Sequence, residues 1–305
     1  MNPTYRAYLD LAAAMTIVGS SVVVGKIVVT DFPIFMALTI RFAIALLLLL
    51  LVSHRRGILA VPSMRVLTQV FLQALTGVFL FNVLLLAGLR FTTAAQSGLL
   101  GSTTPALIAI MGWLLLRERI TRHEWLGVAL SMGGIVVVNT IGVEGALTMS
   151  ASTLLGNGLV LGAFACEALF TVFRRTSRDI PPLLGATWVT GFGLLLCLPV
   201  GAVQIVRFDL QSITAEQIAV LLYYGVFVSA LAYFLWFRGL ENASTGAAGI
   251  LSAMLPISAV GLSAVILGET LTPAHLLGLV LVLGAVAVMT LGSSTQMKAK
   301  GDLSA

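Results

Sequence analysis

Residues 88–121, GLRFTTAAQSGLLGSTTPALIAIMGWLLLRERIT, return in altered form as residues 239–272, GLENASTGAAGILSAMLPISAVGLSAVILGETLT. At a constant offset of 151 residues, Gly88-Leu89 meets Gly239-Leu240, Gly98 meets Gly249, Leu100 meets Leu251, and Pro105 meets Pro256. Glu118 meets Glu269 and Thr121 meets Thr272, followed by Leu126-Gly127 with Leu277-Gly278 and Gly133 with Gly284. Shared leucines and valines mean little in apolar segments. A proline, a glutamate, a threonine and four glycines in one register mean more. Farther upstream, Phe32-Pro33 aligns with Ile180-Pro181 at an offset of 148.

The segments around this repeat are strongly apolar. Of 305 residues, 59% are hydrophobic and 10% charged, against about 25% charged in an average soluble domain. The mean hydropathy of +1.06 does not suit a water-facing surface. The apolar residues fall in runs near twenty, the length at which a helix crosses a ~30 Å hydrocarbon core; a β-barrel would instead alternate over roughly ten residues. Ten spans are expected, at about 7–29, 35–53, 67–89, 94–116, 123–140, 155–173, 183–206, 217–240, 245–267 and 273–291. The first, following Arg6, is too long for a signal-peptide core and carries no clear cleavage site. Thr121 with Glu124 forms a capping box at one helix start, and Thr272 before Pro273 marks another.

Five spans per repeat is an odd number, so the second repeat must enter the membrane from the opposite side. The expected fold is an all-α membrane protein of ten transmembrane helices in two inverted five-helix repeats. The first repeat covers 1–145 and the second 146–295, with a tail at 296–305. Lysines and arginines set the orientation. Thirteen lie on the side of the termini: Arg6, Arg55, Arg56, Arg65, Arg117, Arg119, Arg122, Arg174, Arg175, Arg178, Arg238, Lys298 and Lys300. Three, Lys26, Arg90 and Arg207, lie on the other side, and Arg41 lies within the second span. The positive-inside rule places both termini, and the tail, in the cytoplasm. The net charge of +5 is thereby topological, and no nucleic-acid partner is called for.

The residues resemble the drug/metabolite transporter superfamily, in its EamA-type branch of ten-helix exporters. The resemblance rests on Gly19-Ser20-Ser21 leading to Lys26, on Arg41-Phe42, and on Gly88-Leu89-Arg90-Phe91-Thr92-Thr93-Ala94-Ala95 with its later partner Phe237-Arg238-Gly239-Leu240-Glu241. Within the branch the chain looks most like bacterial inner-membrane exporters of amino acids, aromatic ones included. The family often carries Trp where this chain has Val18 and Cys166-Glu167, which implies a more polar pocket here.

Candidate site residues follow from what a bilayer tolerates. Pro105 and Pro256 sit near the centres of the fourth and ninth spans, where each deletes a backbone hydrogen bond and frees the carbonyls of Gly101 and Ser252; a hinge or cavity wall is expected. Glu167 stands inside the sixth span. A charge at that depth costs about 2.5–3.5 kcal/mol and marks a substrate or ion path, so Glu167 is expected to bind a substrate ammonium or carry a coupling proton, unless it is a structural carboxyl. Ser20, Asn82, Gln96, Trp188, Tyr233 and Ser252 complete the substrate-binding candidates, with Asn82 and Tyr233 at matching repeat positions. Arg41 reads as structural, Glu118 and Glu269 as helix-turn chemistry or gating on opposite sides, and Gly158 with Gly162 as a close-packing pair.

No cofactor or metal site is expected. Cys166 and Cys197 lie in apolar runs, and the histidines lack ligand spacing. Gly19 to Lys26 lacks the spacing of a phosphate loop, and no hydrolase or metalloprotease motif occurs, so neither an ATPase nor an enzyme is expected. The function indicated is a secondary transporter exporting small metabolites, amino acids first, by alternating access through a central cavity. A bacterial inner (plasma) membrane is the expected location, with the small-molecule substrate and the lipid bilayer as partners; a monomer is compatible with the sequence, which does not itself set the oligomeric state. Cationic drugs, sugar phosphates or nucleotide sugars are the alternative cargoes, and a channel is a more distant alternative.

Overall fold

The structure is a computed structural model describing residues 3–58, 60–117, 150–175, 180–242, 254–273 and 275–281, with shorter pieces at 122, 125–127, 129–130, 133, 251, 283–285 and 287–288. Among the described residues all regular structure is helical. Six helical segments among the described residues are long and apolar enough to cross a membrane: Tyr5–Asp31, Ile34–Arg55, Met64–Leu89, Ala151–Arg174, Leu183–Arg207 and Ala215–Trp236. They coincide with the expected first, second, third, sixth, seventh and eighth spans. Most of the expected fifth span with its Thr121–Glu124 cap, parts of the ninth and tenth, and the tail lie outside the described residues.

The helices are α1 (Pro3–Asp31), α2 (Ile34–Arg55), α3 (Met64–Gln73), α4 (Phe81–Leu89), α5 (Ala94–Gly101), α6 (Thr104–Leu116), α7 (Ala151–Arg175), α8 (Pro182–Arg207), α9 (Ala215–Tyr223), α10 (Ala232–Asn242) and α11 (Met254–Leu267). Between α3 and α4 the chain widens into a π-helix at Ala74–Leu80, and between α9 and α10 it does so again at Tyr224–Leu231. π-Helices are rare and often occur at functional sites. These two begin 150 residues apart, close to the register of the sequence repeat.

The fourth span differs from its expected form. It is not one helix kinked at Pro105. α5 ends at Gly101, α6 begins at Thr104, and the two are bent by 47°. Pro105 falls in the first turn of α6, where a missing N–H costs nothing. The Leu99 and Leu100 carbonyls at the end of α5 keep backbone N–H partners in Ser102 and Thr103, and the hydroxyls of the run Ser102-Thr103-Thr104 add bonds to the carbonyls there. Ser102 Oγ donates to Leu99 O, Thr103 Oγ1 to Leu100 O at 2.7 Å, and Thr104 Oγ1 to Gly101 O at 2.7 Å. With no water in the hydrocarbon, such local satisfaction is what permits a broken helix at this depth.

α1 lies against α10 and α11, α2 against α8, and α7 against α4 and α6. Small residues bring the backbones together. A Cβ at Gly19 would run into Ser258 Oγ and lie 2.5 Å from Leu255 O of α11. The close approach of α7 differs from expectation: it falls not at Gly158 and Gly162, whose added Cβ atoms would meet nothing closer than 3.7 Å, but at Gly156, where a Cβ would lie 3.0 Å from Gly88 O of α4. At one end of the bundle Asp10 of α1 forms a forked ion pair with Arg238 of α10, at 2.6 and 2.7 Å. At the other end, Gln204 of α8 accepts from Met36 N at 2.9 Å, satisfying the first turn of α2, whose preceding residue Pro33 provides no side-chain cap. Thr272 is a helix start as expected, its N–H and hydroxyl meeting His275 Nδ1 at 3.1 and 2.7 Å.

The α1–α11 contact yields a test. Gly19→Val inserts a branched side chain where no space exists and destabilises the fold by about 1–3 kcal/mol. The expected outcome is a lowered unfolding midpoint in detergent, with Gly158→Val, at an open surface, close to wild type.

Candidate functional site

Arg41 of α2 is the charged residue around which the polar interior is arranged. It is 6% exposed. Its Nη1 donates to Asn82 Oδ1 of α4 at 2.7 Å, and its Nε donates to Ser229 Oγ in the second π-helix. Its guanidinium lies 3.9 Å from the centroid of the Tyr224 ring and 5.3 Å from that of Phe42. Its partners among the described residues are all neutral. A buried guanidinium is costly unless its donors are met, and here two amide or hydroxyl oxygens and an aromatic face meet it. The partners are in turn tied to the irregular backbone. Asn82 Nδ2 donates to Val78 O at 2.6 Å in the first π-helix, and Ser229 Oγ donates to Tyr224 O at 3.1 Å in the second. One side chain of α2 thus joins both π-helices.

Glu167 of α7 faces the break between α5 and α6. Its Oε2 lies 3.3 Å from Thr104 Oγ1, while Thr104 Oγ1 lies 2.7 Å from Gly101 O. A hydroxyl has one hydrogen to donate. With Glu167 ionised, Thr104 divides that hydrogen between two acceptors. With Glu167 protonated, its O–H donates to Thr104, which donates fully to Gly101 O. The geometry therefore accommodates either protonation state. Tyr233 of α10 is half-buried and within electrostatic reach of both Glu167 and Arg41. It also lines a small, partly open pocket with Gln73, Phe170, Arg174, Gly185 and Thr190.

The remaining expected site residues fall elsewhere. Ser20 is bonded to Tyr223 at 2.7 Å. Gln96 belongs to a cluster at the Lys26 end of the bundle, where Thr92 Oγ1 lies 2.7 Å from Gln96 Oε1 and 2.5 Å from Asn157 Oδ1. Trp188 anchors a loop, its indole N–H donating to Ala60 O at 3.2 Å and its ring lying beside Phe192. Pro256 is buried in the first turn of α11, and Ser252 lies outside the described residues. The structure thus groups Asn82 with Arg41, and Tyr233 with Arg41 and Glu167. It adds Thr104, Ser229, Tyr224 and Gln73, which sequence reasoning missed. Three consecutive hydroxyl residues before a mid-span proline were a usable signal for Thr104; Ser229 had none.

An α-helical membrane bundle with a polar interior and broken helices at depth has the general construction of a solute carrier. The chain belongs to the EamA-like transporter family, which matches residues 6–140 and again 154–291. It is 41% identical over 285 residues to the protein named "Uncharacterized transporter YetK" of Bacillus subtilis (strain 168), covering 92% of this chain and 86% of that one. It is 29% identical to "Protein PecM" of Dickeya dadantii (strain 3937), over 70% of this chain and 69% of that one. In fold it resembles a solved crystal structure at a TM-score of 0.64 and 19% identity, covering 96% of this chain and 97% of that one. It is an integral membrane transporter.

If Arg41 joins the two π-helices, Arg41→Met leaves Asn82 and Ser229 without their donor. Unmet buried partners cost about 1–3 kcal/mol each. The variant is expected to unfold at lower temperature, and the paired change Arg41→Met with Asn82→Leu to recover part of the loss, as a double-mutant cycle would measure.

Proposed function

We propose that this transporter is a secondary carrier exporting small carboxylate-bearing metabolites, amino acids first, from the cytoplasm across a bacterial inner membrane. In this reading ten helices form two inverted repeats, and the Asp10–Arg238 end faces the cytoplasm, where basic residues concentrate. The observation that carries the reading is a buried cation with neutral partners and a half-buried carboxylate, both within electrostatic reach of Tyr233. Arg41 supplies positive potential for a cargo carboxylate; Glu167 supplies either a counter-charge for its ammonium or the site of a coupled proton. The matched π-helices and the broken span support a moving cavity wall. So does the family, whose members compared above include one named as a transporter.

The same cation favours anionic cargo over cationic drugs. A sugar phosphate is the second reading, favoured by Arg41 together with Arg174 in the pocket wall. Flux into proteoliposomes separates the two. Amino acids, cationic drugs and sugar phosphates are offered with and without a pH gradient, and saturable uptake of amino acids, accelerated by unlabelled amino acid on the far side, is the expected result.

Glu167→Gln is expected to lower transport at least about tenfold, as loss of one charge-assisted contact would, and to flatten its dependence on the pH gradient. Unchanged rate and pH dependence would remove Glu167 from the mechanism. Thr104→Val, which removes the hydroxyl between Glu167 and Gly101 O, is expected to shift the pH profile while leaving the protein folded.

A further inference from the structure

The turn between α4 and α5 is held by side chains from two distant segments. Glu269, just beyond α11, accepts from Ala94 N at 2.8 Å with one carboxylate oxygen and from Ala95 N at 2.9 Å with the other. Lys26 of α1 donates to Leu89 O at 2.5 Å and to Thr92 O at 2.7 Å. An anion therefore covers the first N–H groups of α5, and a cation covers the last carbonyl of α4 and one carbonyl of the turn, each matching the sign of the helix end it meets. Thr93 caps α5 locally by accepting from Gln96 N; four further backbone groups of the turn depend on α1 and on the segment after α11. Thr92 adds a link to Asn157 of α7 at 2.5 Å. This end of the bundle is closed by polar contacts, whereas the pocket lined by Tyr233, Gln73 and Arg174 lies toward the opposite end.

We propose that Glu269 and Lys26 form a latch that holds the carrier shut on the side away from the termini, and that opening on that side consists of the α4–α5 turn leaving Glu269. The inference rests on the alternating-access reading above. Its physical basis is that the contacts break without stranding charge. Glu269, Lys26 and the turn all lie at the end of the bundle, so water replaces each lost partner when the turn swings away. The same four contacts in the bilayer core could not be exchanged in this way. The sequence repeats the device. Glu118 stands at the position of Glu269 in the 151-residue register, and Arg174 stands at that of Lys26 in the 148-residue register of Phe32-Pro33 and Ile180-Pro181. A carrier that closes each end in turn needs one such device per end.

The test is a distance measurement on the full chain in liposomes without cargo. Nitroxide labels are placed on Arg90→Cys in the turn and Thr270→Cys beside the latch, both exposed positions, in a Cys166→Ser, Cys197→Ser background. The expected result for the otherwise unmodified protein is a dominant short distance. In Glu269→Gln a second, longer distance should gain about tenfold in population ratio, the change that loss of one charge-assisted hydrogen bond produces. Lys26→Met should shift it in the same direction, and Glu269→Asp, which keeps the charge, should shift it less. Identical distributions in wild type and in either folded neutral variant would overturn the latch. The measurement uses no substrate, so a failed amino-acid flux assay would strike the cargo reading and leave this result standing.

Discussion

A backbone in hydrocarbon has no water to bond with, so every departure from the α-helix must be met by a side chain or by another helix. This protein departs repeatedly: at two π-helices, at the break between α5 and α6, and at the turn between α4 and α5. Each departure has an identifiable partner. Asn82 and Ser229 serve the π-helices, Ser102, Thr103 and Thr104 serve the break, and Glu269 with Lys26 serves the turn. A set of the polar residues inside the bundle thus meets irregular main chain, while others, such as the Ser53–Thr187 pair, join regular helices.

Arg41 shows how one charge can organise this arrangement. It satisfies Asn82 and Ser229, which in turn satisfy Val78 and Tyr224 carbonyls. A change at this side chain is felt in both π-helices, and through Tyr233 its field reaches the pocket. Glu167 and Thr104 form a smaller unit that accepts either protonation state without leaving a backbone carbonyl unmet. In the proposed export reading, these groups give a dipolar solute one cationic and one acidic contact.

Close packing constrains where motion can occur. Gly19 against α11, Gly156 against α4, and Gly98 of α5 against Ala259 of α11 leave no room for even one methyl group. The contacts that can be exchanged for water lie at the ends, in the Asp10–Arg238 pair and in the groups around the α4–α5 turn.

Membrane class, the positions of the long apolar helices and the family were legible in the chain itself, because hydrocarbon thickness sets span length and apolar runs are visible without any partner. Glu167 and Asn82 were legible as polar residues at depth for the same reason. The role of Arg41 was not: its guanidinium finds Asn82, Ser229 and Tyr224 on two other spans, 41 to 188 residues away. The break before Pro105 was read as a kink at the proline, because backbone bonding to three neighbouring hydroxyls is a three-dimensional outcome. Trp188 and Gln96 looked like pocket residues by type, yet packing sends one to a loop and the other to the Lys26 end. Sequence sets what each segment must bury, a local property; which polar groups meet is decided by how helices distant in the chain lie side by side.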